Sequence, residues 1–223
     1  MKFPAVLWDM DGTLIDSEPL HFTALIQVLG ELGLAWPEDL QQQLVGRSAH
    51  AVHALLVEGL GLTLDYPQFT RRKYAAYLSG ASTLQARAPA VALYRQLAAL
   101  GCPQVIVSNS DRMLVEANIQ ALGLNQVDLL SVTRNDVRHG KPDAEPYLRA
   151  AWLVGVEPGR CAVVEDSPTG AAAGVAAGMT VFALPEAETA GMQFPDTVIS
   201  VTCAEQLAQL LGVQIDGRQA WSQ

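Results

Sequence analysis

The chain opens with a short unbroken apolar run, Ala5–Trp8, that stops at Asp9. A half-exposed strand alternates apolar with polar residues, whereas a continuous run ending in an acid reads as a strand buried on both faces of a parallel sheet. Similar runs recur at 105–107, ending at Ser108, at 161–164, ending at Glu165, and at Thr180–Ala183, after Gly178. Helical patterns separate them, so the C-terminal two-thirds predicts an α/β fold with a doubly wound parallel sheet. Ser110 is placed to cap a helix that begins at Asp111 and ends before Gly123. Ser167 and Pro168 form a cap and first-turn pair for another helix, which Gly178 closes. Both helices start directly after strand ends that carry polar residues, and in a parallel sheet those ends share the edge where ligands bind.

Between Ser17 and about Ser79 the pattern changes to helices at 20–32, 40–45, Ala49–Leu60 and 69–78, without clear strands. This predicts a small helical cap, 17–79, inserted into a core made of 1–16 and 80–223. Gly170, Gly174 and Gly178 have the spacing of a membrane-helix dimer motif, but the flanking acids and the short apolar length favour close packing against the sheet.

Composition narrows the class. Of the 223 residues half are apolar and 17% are charged, which suits one compact domain with a modest insert rather than a disordered chain. The formal charge of -9 disfavours a nucleic-acid partner, because such binding is driven by basic residues on phosphates. It is compatible with a divalent cation. Cys102, Cys161 and Cys203 are odd in number and far apart, so they read as buried thiols rather than as a disulfide framework or a zinc site. The first apolar stretch is too short for a signal-peptide core and no later run approaches a membrane span. The expected setting is the cytoplasm, with no membrane partner, as a monomer or weak homodimer acting on a small metabolite.

Four short constellations carry candidate chemistry. Asp9 and Asp11 lie two apart just beyond a buried strand, with Gly12 letting the backbone turn. In extended geometry their carboxylates share a face, one able to act as nucleophile and the other to donate and accept a proton. Taken alone, the pair serves equally as caps of the following turn. Ser108 and Asn109 end another apolar run before a helix start, where a hydroxyl, an amide and unpaired backbone N–H groups can converge on an anion, or simply cap the helix. Lys141, in Gly140-Lys141-Pro142-Asp143, can neutralise phosphate charge, with Pro142 read as a helix start that stiffens the approach. An isolated lysine is as readily a solvated one. Glu165 and Asp166 place two acids where a hard cation needs oxygen ligands, or where a helix terminus wants negative charge. His50, His53 and His139 show no metal-ligand arrangement.

Taken together and in order, Asp9-Met10-Asp11-Gly12-Thr13-Leu14, Val107-Ser108-Asn109, Lys141-Pro142 and Val164-Glu165-Asp166-Ser167 closely resemble the four signatures of the haloacid dehalogenase superfamily. The resemblance covers nearly the whole chain and falls in the phosphatase and beta-phosphoglucomutase-like branch, which has a Rossmann-like core and a helical cap. It implies a phosphoaspartyl intermediate on Asp9, with Asp11 as acid and base. It further implies Mg2+ held by Asp9, the backbone carbonyl of Asp11, and Asp166, with Glu165 supporting. Ser108, Asn109 and Lys141 would bind the transferring phosphoryl group. Members that attack carbon lack an acid at the position of Asp11, so dehalogenation is not expected. A receiver-type signalling module also groups acids, a hydroxyl and a lysine at strand ends, but it has neither the helical insert nor the Asp-x-Asp-Gly-Thr run.

Hydrolysis and phosphosugar mutation remain as the two readings. The run Asp16-Ser17-Glu18-Pro19-Leu20-His21 resembles the cap hinge of both groups, and Arg72-Lys73 is similar to a basic pair in the mutase cap. Two departures favour hydrolysis, and the expected substrate is a small sugar phosphate. Gly46-Arg47-Ser48-Ala49 lacks the arginine of the mutase pattern Gly-x-Ser-Arg, and Thr13 stands where the mutase has an apolar residue. Arg47, Lys73 and His21 are the candidate substrate contacts from the cap.

Overall fold

The computed structural model describes residues 1–37, 40–44, 49–125, 128–184, 189 and 191–213. They divide between two compact units, Met1–Asp16 with Gln85–Gln223, and Ser17–Leu84. The chain runs through β1 (Ala5–Trp8) and β2 (Ile15–Asp16) into α1 (Glu18–Glu31), α2 (Leu40–Leu44), α3 (Ala49–Leu60) and α4 (Tyr66–Gly80). It continues with β3 (Gln85–Ala86), α5 (Ala88–Ala99), β4 (Gln104–Val107), α6 (Arg112–Ala121), β5 (Leu130–Val132) and α7 (Glu145–Leu153). Last come β6 (Cys161–Glu165), α8 (Pro168–Ala176), β7 (Thr180–Ala183), β8 (Ile199–Ser200) and α9 (Ala204–Leu211).

The described residues build a parallel six-stranded sheet in the order β5-β4-β1-β6-β7-β8. β1 is central, with Leu7 level with Val105 on one side and Val163 on the other. Every residue of β1 and β6 is buried, as their continuous apolar composition requires. Trp8 is fully buried and still satisfies its indole N–H, which donates to Gln104 Oε1 at 2.8 Å. The two edge strands escape the sequence pattern for a physical reason. β5 grades from exposed to buried and β8 is exposed throughout, so neither shows a continuous apolar run. β2 and β3 pair antiparallel as a separate two-stranded ribbon, with Asp16 opposite Gln85.

α8 crosses the sheet at unusually close range. A methyl group at Gly170 would lie 1.8 Å from Glu165 Oε1, and one at Gly174 would lie 2.7 Å from Val181 Cγ2. Gly174 therefore packs against the sheet, as the flanking acids and short apolar length favour, and Gly170 makes room for the Glu165 carboxylate. Gly170→Ala should destabilise the fold by about 3 kcal/mol, because the methyl group would have to displace the buried Glu165 carboxylate or lift the helix away from it; the urea unfolding midpoint measures it.

The inserted unit has its own core. α1 buries Leu20, Ala24, Leu25, Val28 and Leu29, a helical stripe. Leu25, Val28 and Leu29 cluster with Leu40, Leu44, Leu56, Leu62 and Phe69. α4 begins three residues before the expected Phe69 because Asp65 and Gln68 form a reciprocal capping box, with Gln68 N donating to Asp65 Oδ1 at 2.8 Å.

Three sequence expectations are corrected here. Ser110 does not cap α6; Asp111 occupies that position, and the Ser110 hydroxyl bonds Asp11 instead. Pro142 is not at a helix start, since α7 begins at Glu145 and Pro142 follows a cis peptide bond in the preceding turn. Cys203 is exposed at the start of α9, outside the sheet's apolar layers, unlike Cys102 and Cys161. Among the described residues no helix is long and apolar enough to cross a membrane.

Candidate active site

The sheet carries Asp9, Ser108 and Glu165 to the C-terminal ends of three adjacent strands, β1, β4 and β6. Asp9 N donates to Val164 O at 2.9 Å, extending the ladder one step past β1. The chain then folds back tightly, with Leu14 N on Met10 O at 2.9 Å and Gly12 N on Ile15 O at 2.8 Å. Gly12 has φ +89°, and a methyl group there would lie 2.3 Å from Asp166 Oδ2. Backbone conformation and space both demand glycine at this position.

Lys141 is the centre of the charge arrangement. Its ammonium donates to Asp9 Oδ1 at 2.5 Å, Glu165 Oε1 at 2.6 Å and Val107 O at 2.8 Å, which uses all three protons. Tyr147, fully buried on α7, donates its hydroxyl to the same Glu165 oxygen at 2.6 Å, and Ser167 Oγ donates to Glu165 Oε2 at 3.2 Å. Asp166 accepts from Thr13 Oγ1 at 3.3 Å. Asp9, Glu165 and Asp166 are all buried, and each offers an oxygen within 4.8 Å of the others.

Three buried carboxyls thus gather around one ammonium, which bonds two of them, Asp9 and Glu165. Burial, and then Glu165, raises the Asp9 carboxyl well above the ordinary carboxylate range against the pull of Lys141. Burial, and then Glu165, likewise pushes Asp166 up to about 7. Burial opposes the charge on Lys141, but Asp9 and Glu165 outweigh it and hold the ammonium above the ordinary lysine value. Asp9 Oδ2 is buried without a hydrogen-bond partner among the described residues. An orphaned carboxylate oxygen among mutually repelling acids is the donor set a hard divalent cation takes. The residues fit a metal centre.

Asp11 faces a different set. Ser108 Oγ and Ser110 Oγ donate to its Oδ2 at 2.9 and 3.0 Å, and Asn118 Nδ2 donates to Oδ1 at 3.1 Å. Asn109 is exposed, and its side-chain amide is engaged by the backbone of Lys141. Nδ2 donates to Lys141 O at 3.0 Å, and Lys141 N donates to Oδ1 at 2.8 Å. A methyl group at Gly140 would lie 2.6 Å from that Oδ1, so glycine lets the two loops close. The structure thus gives Asn109 the task of fixing the lysine loop.

Of the candidate cap contacts, His21 lies half-buried on α1 with its ring 4.5 Å from that of Tyr77. Lys73 lies half-buried on α4, and burial lowers its pKa. Arg47 lies outside the described residues. His50 stacks on Tyr66 at 3.8 Å and His53 Nε2 meets Leu64 O at 2.9 Å, which accounts for both rings by packing. Sequence reasoning missed Tyr147, Ser110 and Asn118. No spacing in the sequence signals Tyr147, which reaches Glu165 only through the fold.

The family model for haloacid dehalogenase-like hydrolases matches residues 3–178. Hexitol phosphatase A of Escherichia coli (strain K12) is 33% identical over 186 residues, covering 82% of this chain and 84% of that protein. Fructose-1-phosphate phosphatase YqaB of the same organism is 30% identical over 178 residues, covering 80% and 94%. Among solved structures, CbbY from Rhodobacter sphaeroides in complex with phosphate superposes with a TM-score of 0.82 at 22% identity, covering 92% of this chain and 96% of that one. At that identity the likeness is one of fold.

Proposed function

The chain belongs to the haloacid dehalogenase-like hydrolase family, and from that membership we propose that it hydrolyses a small sugar phosphate through a phosphoaspartyl intermediate on Asp9, with Mg2+ in the acidic cluster. The observation that carries the reading is the division of Asp9's two oxygens, Oδ1 anchored by Lys141 and Oδ2 buried without a hydrogen-bond partner among the described residues. A purely structural carboxylate would have both oxygens satisfied.

Asp9, Asp166 and the backbone carbonyl of Asp11 would hold the cation, with Glu165 keeping Lys141 and Asp9 in place. When bound, Mg2+ supplies positive charge that offsets the repulsion between an anionic nucleophile and an anionic ester. The remaining chemistry belongs to the chain. An Asp9 carboxylate oxygen forms a bond to phosphorus as the bond from phosphorus to the sugar oxygen breaks, and Asp11 gives its proton to the departing oxygen. Water then attacks the phosphoaspartate, Asp11 takes the proton, and inorganic phosphate leaves with Asp9 restored. Lys141, the Ser108 hydroxyl and the backbone N–H of Asn109 stabilise the phosphoryl oxygens. The names of the two Escherichia coli relatives, a hexitol phosphatase and a fructose-1-phosphate phosphatase, support a phosphorylated carbohydrate as the substrate class.

The test is a phosphate-release screen over sugar and sugar-alcohol phosphates, phosphoglycolate, glycerol phosphates and nucleotides with Mg2+. Absence of release from every phosphorylated carbohydrate would overturn the substrate class. Beta-glucose 1-phosphate supplied with a trace of its bisphosphate separates hydrolysis from mutation. Stoichiometric glucose 6-phosphate without free phosphate would establish the mutase.

Asp166 also gives a pH expectation. Its raised folded-state pKa means that the metal-free fold retains a proton that the unfolded chain releases between about pH 4 and pH 7. Its contribution to stability is therefore present at low pH and is lost as pH rises through that window. A cation needs the same carboxylate deprotonated, so Mg2+ should raise the thermal midpoint more at pH 8 than at pH 6. Thermal melts with Mg2+ or EDTA at the two values check the sign.

A further inference from the structure

The buried face of α6 carries Leu114, Val115, Asn118 and Ile119, three apolar residues and one amide. Asn118 is fully buried. An amide at such a position is costly unless hydrogen-bonded, and a leucine would fill the stripe without that cost. Asn118 Nδ2 spends its bond on Asp11, far away in sequence, at 3.1 Å. Ser110, on the half-buried turn before α6, holds the other oxygen of the same carboxylate at 3.0 Å, while its own N–H donates to Ser108 Oγ at 3.0 Å. That last bond occupies a lone pair of Ser108, whose own proton goes to Asp11 Oδ2. When a phosphoryl group engages the Ser108 hydroxyl, Ser110 and Asn118 remain as donors to Asp11.

We infer that Asn118, seconded by Ser110, is the positioning residue for the proton-transferring carboxylate. Asn118 fixes Oδ1 of Asp11 and Ser110 fixes Oδ2, so that the proton is delivered along one direction to the departing oxygen. The inference rests on the hydrolase reading proposed above and adds to it a residue that touches neither substrate nor metal. Misplacing a reacting group by about 1 Å costs on the order of 100-fold in rate, which bounds the effect expected from losing one tether.

The experiment compares kcat/KM for the best alkyl phosphate of the substrate screen with kcat/KM for 4-nitrophenyl phosphate, in the wild type and in Asn118→Leu. Nitrophenolate leaves without protonation, whereas a sugar alkoxide needs the proton. Asn118→Leu should lower the alkyl-ester value about 30-fold and the nitrophenyl value less than about 3-fold. An equal fall on both esters would mark a purely structural residue, and no fall on the alkyl ester would remove the role; either result overturns the inference. Should Asn118→Leu fail to fold, Ser110→Ala carries the same comparison, with a split of about 5-fold expected and an equal or absent fall overturning it. If the wild type releases phosphate from neither ester, the hydrolase reading itself fails and this role falls with it.

Discussion

Asp9→Asn should abolish turnover, by roughly 10^4-fold or more, while leaving the protein at least as stable as the wild type. The loss of activity follows from chemistry, since an amide cannot form the acyl phosphate. The retained stability is the less obvious half, and it follows from the charge balance. Asp9 and Glu165 both bond Lys141 with Asp166 close beside them, and burial already raises the Asp9 carboxyl well above its ordinary range. An asparagine is the same size and can still accept from the ammonium through its carbonyl oxygen, but it removes one of three mutually repelling buried charges. A gain on the order of 1 kcal/mol in unfolding free energy is expected without Mg2+. Rapid quench with a labelled phosphate ester should trap phosphate on the wild type and none on the variant, and urea melts in EDTA give the stability. Normal turnover in Asp9→Asn would remove the nucleophile assignment altogether.

Lys141→Met should do the opposite to stability. The ammonium is buried and donates to two carboxylates and a carbonyl, so its removal leaves Asp9 Oδ1, Glu165 Oε1 and Val107 O without their donor. Breaking a buried ion pair from one side costs about 3–5 kcal/mol, because the charge left behind is uncompensated. Turnover should fall about 10^3-fold through loss of phosphoryl charge stabilisation. Mg2+ should restore part of the stability and little of the rate. Lys141→Arg should not rescue, since a planar fork cannot direct three donors to three separately placed oxygens. Urea melts with and without Mg2+, together with steady-state phosphate release, distinguish the two effects. A variant as stable as the wild type would mean that the three acids do not depend on this lysine.

Much of the sheet was legible because burial on both faces leaves no choice of composition. β1, β4, β6 and β7 are short and largely apolar, and the polar residue that ends β1, β4 and β6 marks the ligand edge. The edge strands β5 and β8 were not legible because one-sided or absent burial removes the signal. In the candidate site, Asp9, Ser108 and Glu165 could be placed from strand ends alone. Lys141 could not, since it lies on a turn and reaches the cluster through a clamp by Asn109 that no spacing encodes. Ser110 was misread because a serine before a helix has two uses, and a cap is the commoner. Asn118 was invisible for the reverse reason: one amide in an apolar helical stripe looks like a tolerated defect until its partner is known.

The ribbon of β2 and β3 has a thermodynamic consequence. Asp16 and Gln85 face one another across an antiparallel ladder, so the chain leaves the core and re-enters it at a single point. For the sheet, everything from Ser17 to Leu84 is one closed loop, and closure entropy grows only logarithmically, by about 0.6 kcal/mol for each doubling of length. Lengthening, shortening or replacing that segment therefore costs the core little, provided that the new segment folds on its own account. The constraints on the two units differ as a result: the acids at the strand ends and Lys141 are bound to one another, while the length of the segment between Asp16 and Gln85 weighs little on the sheet.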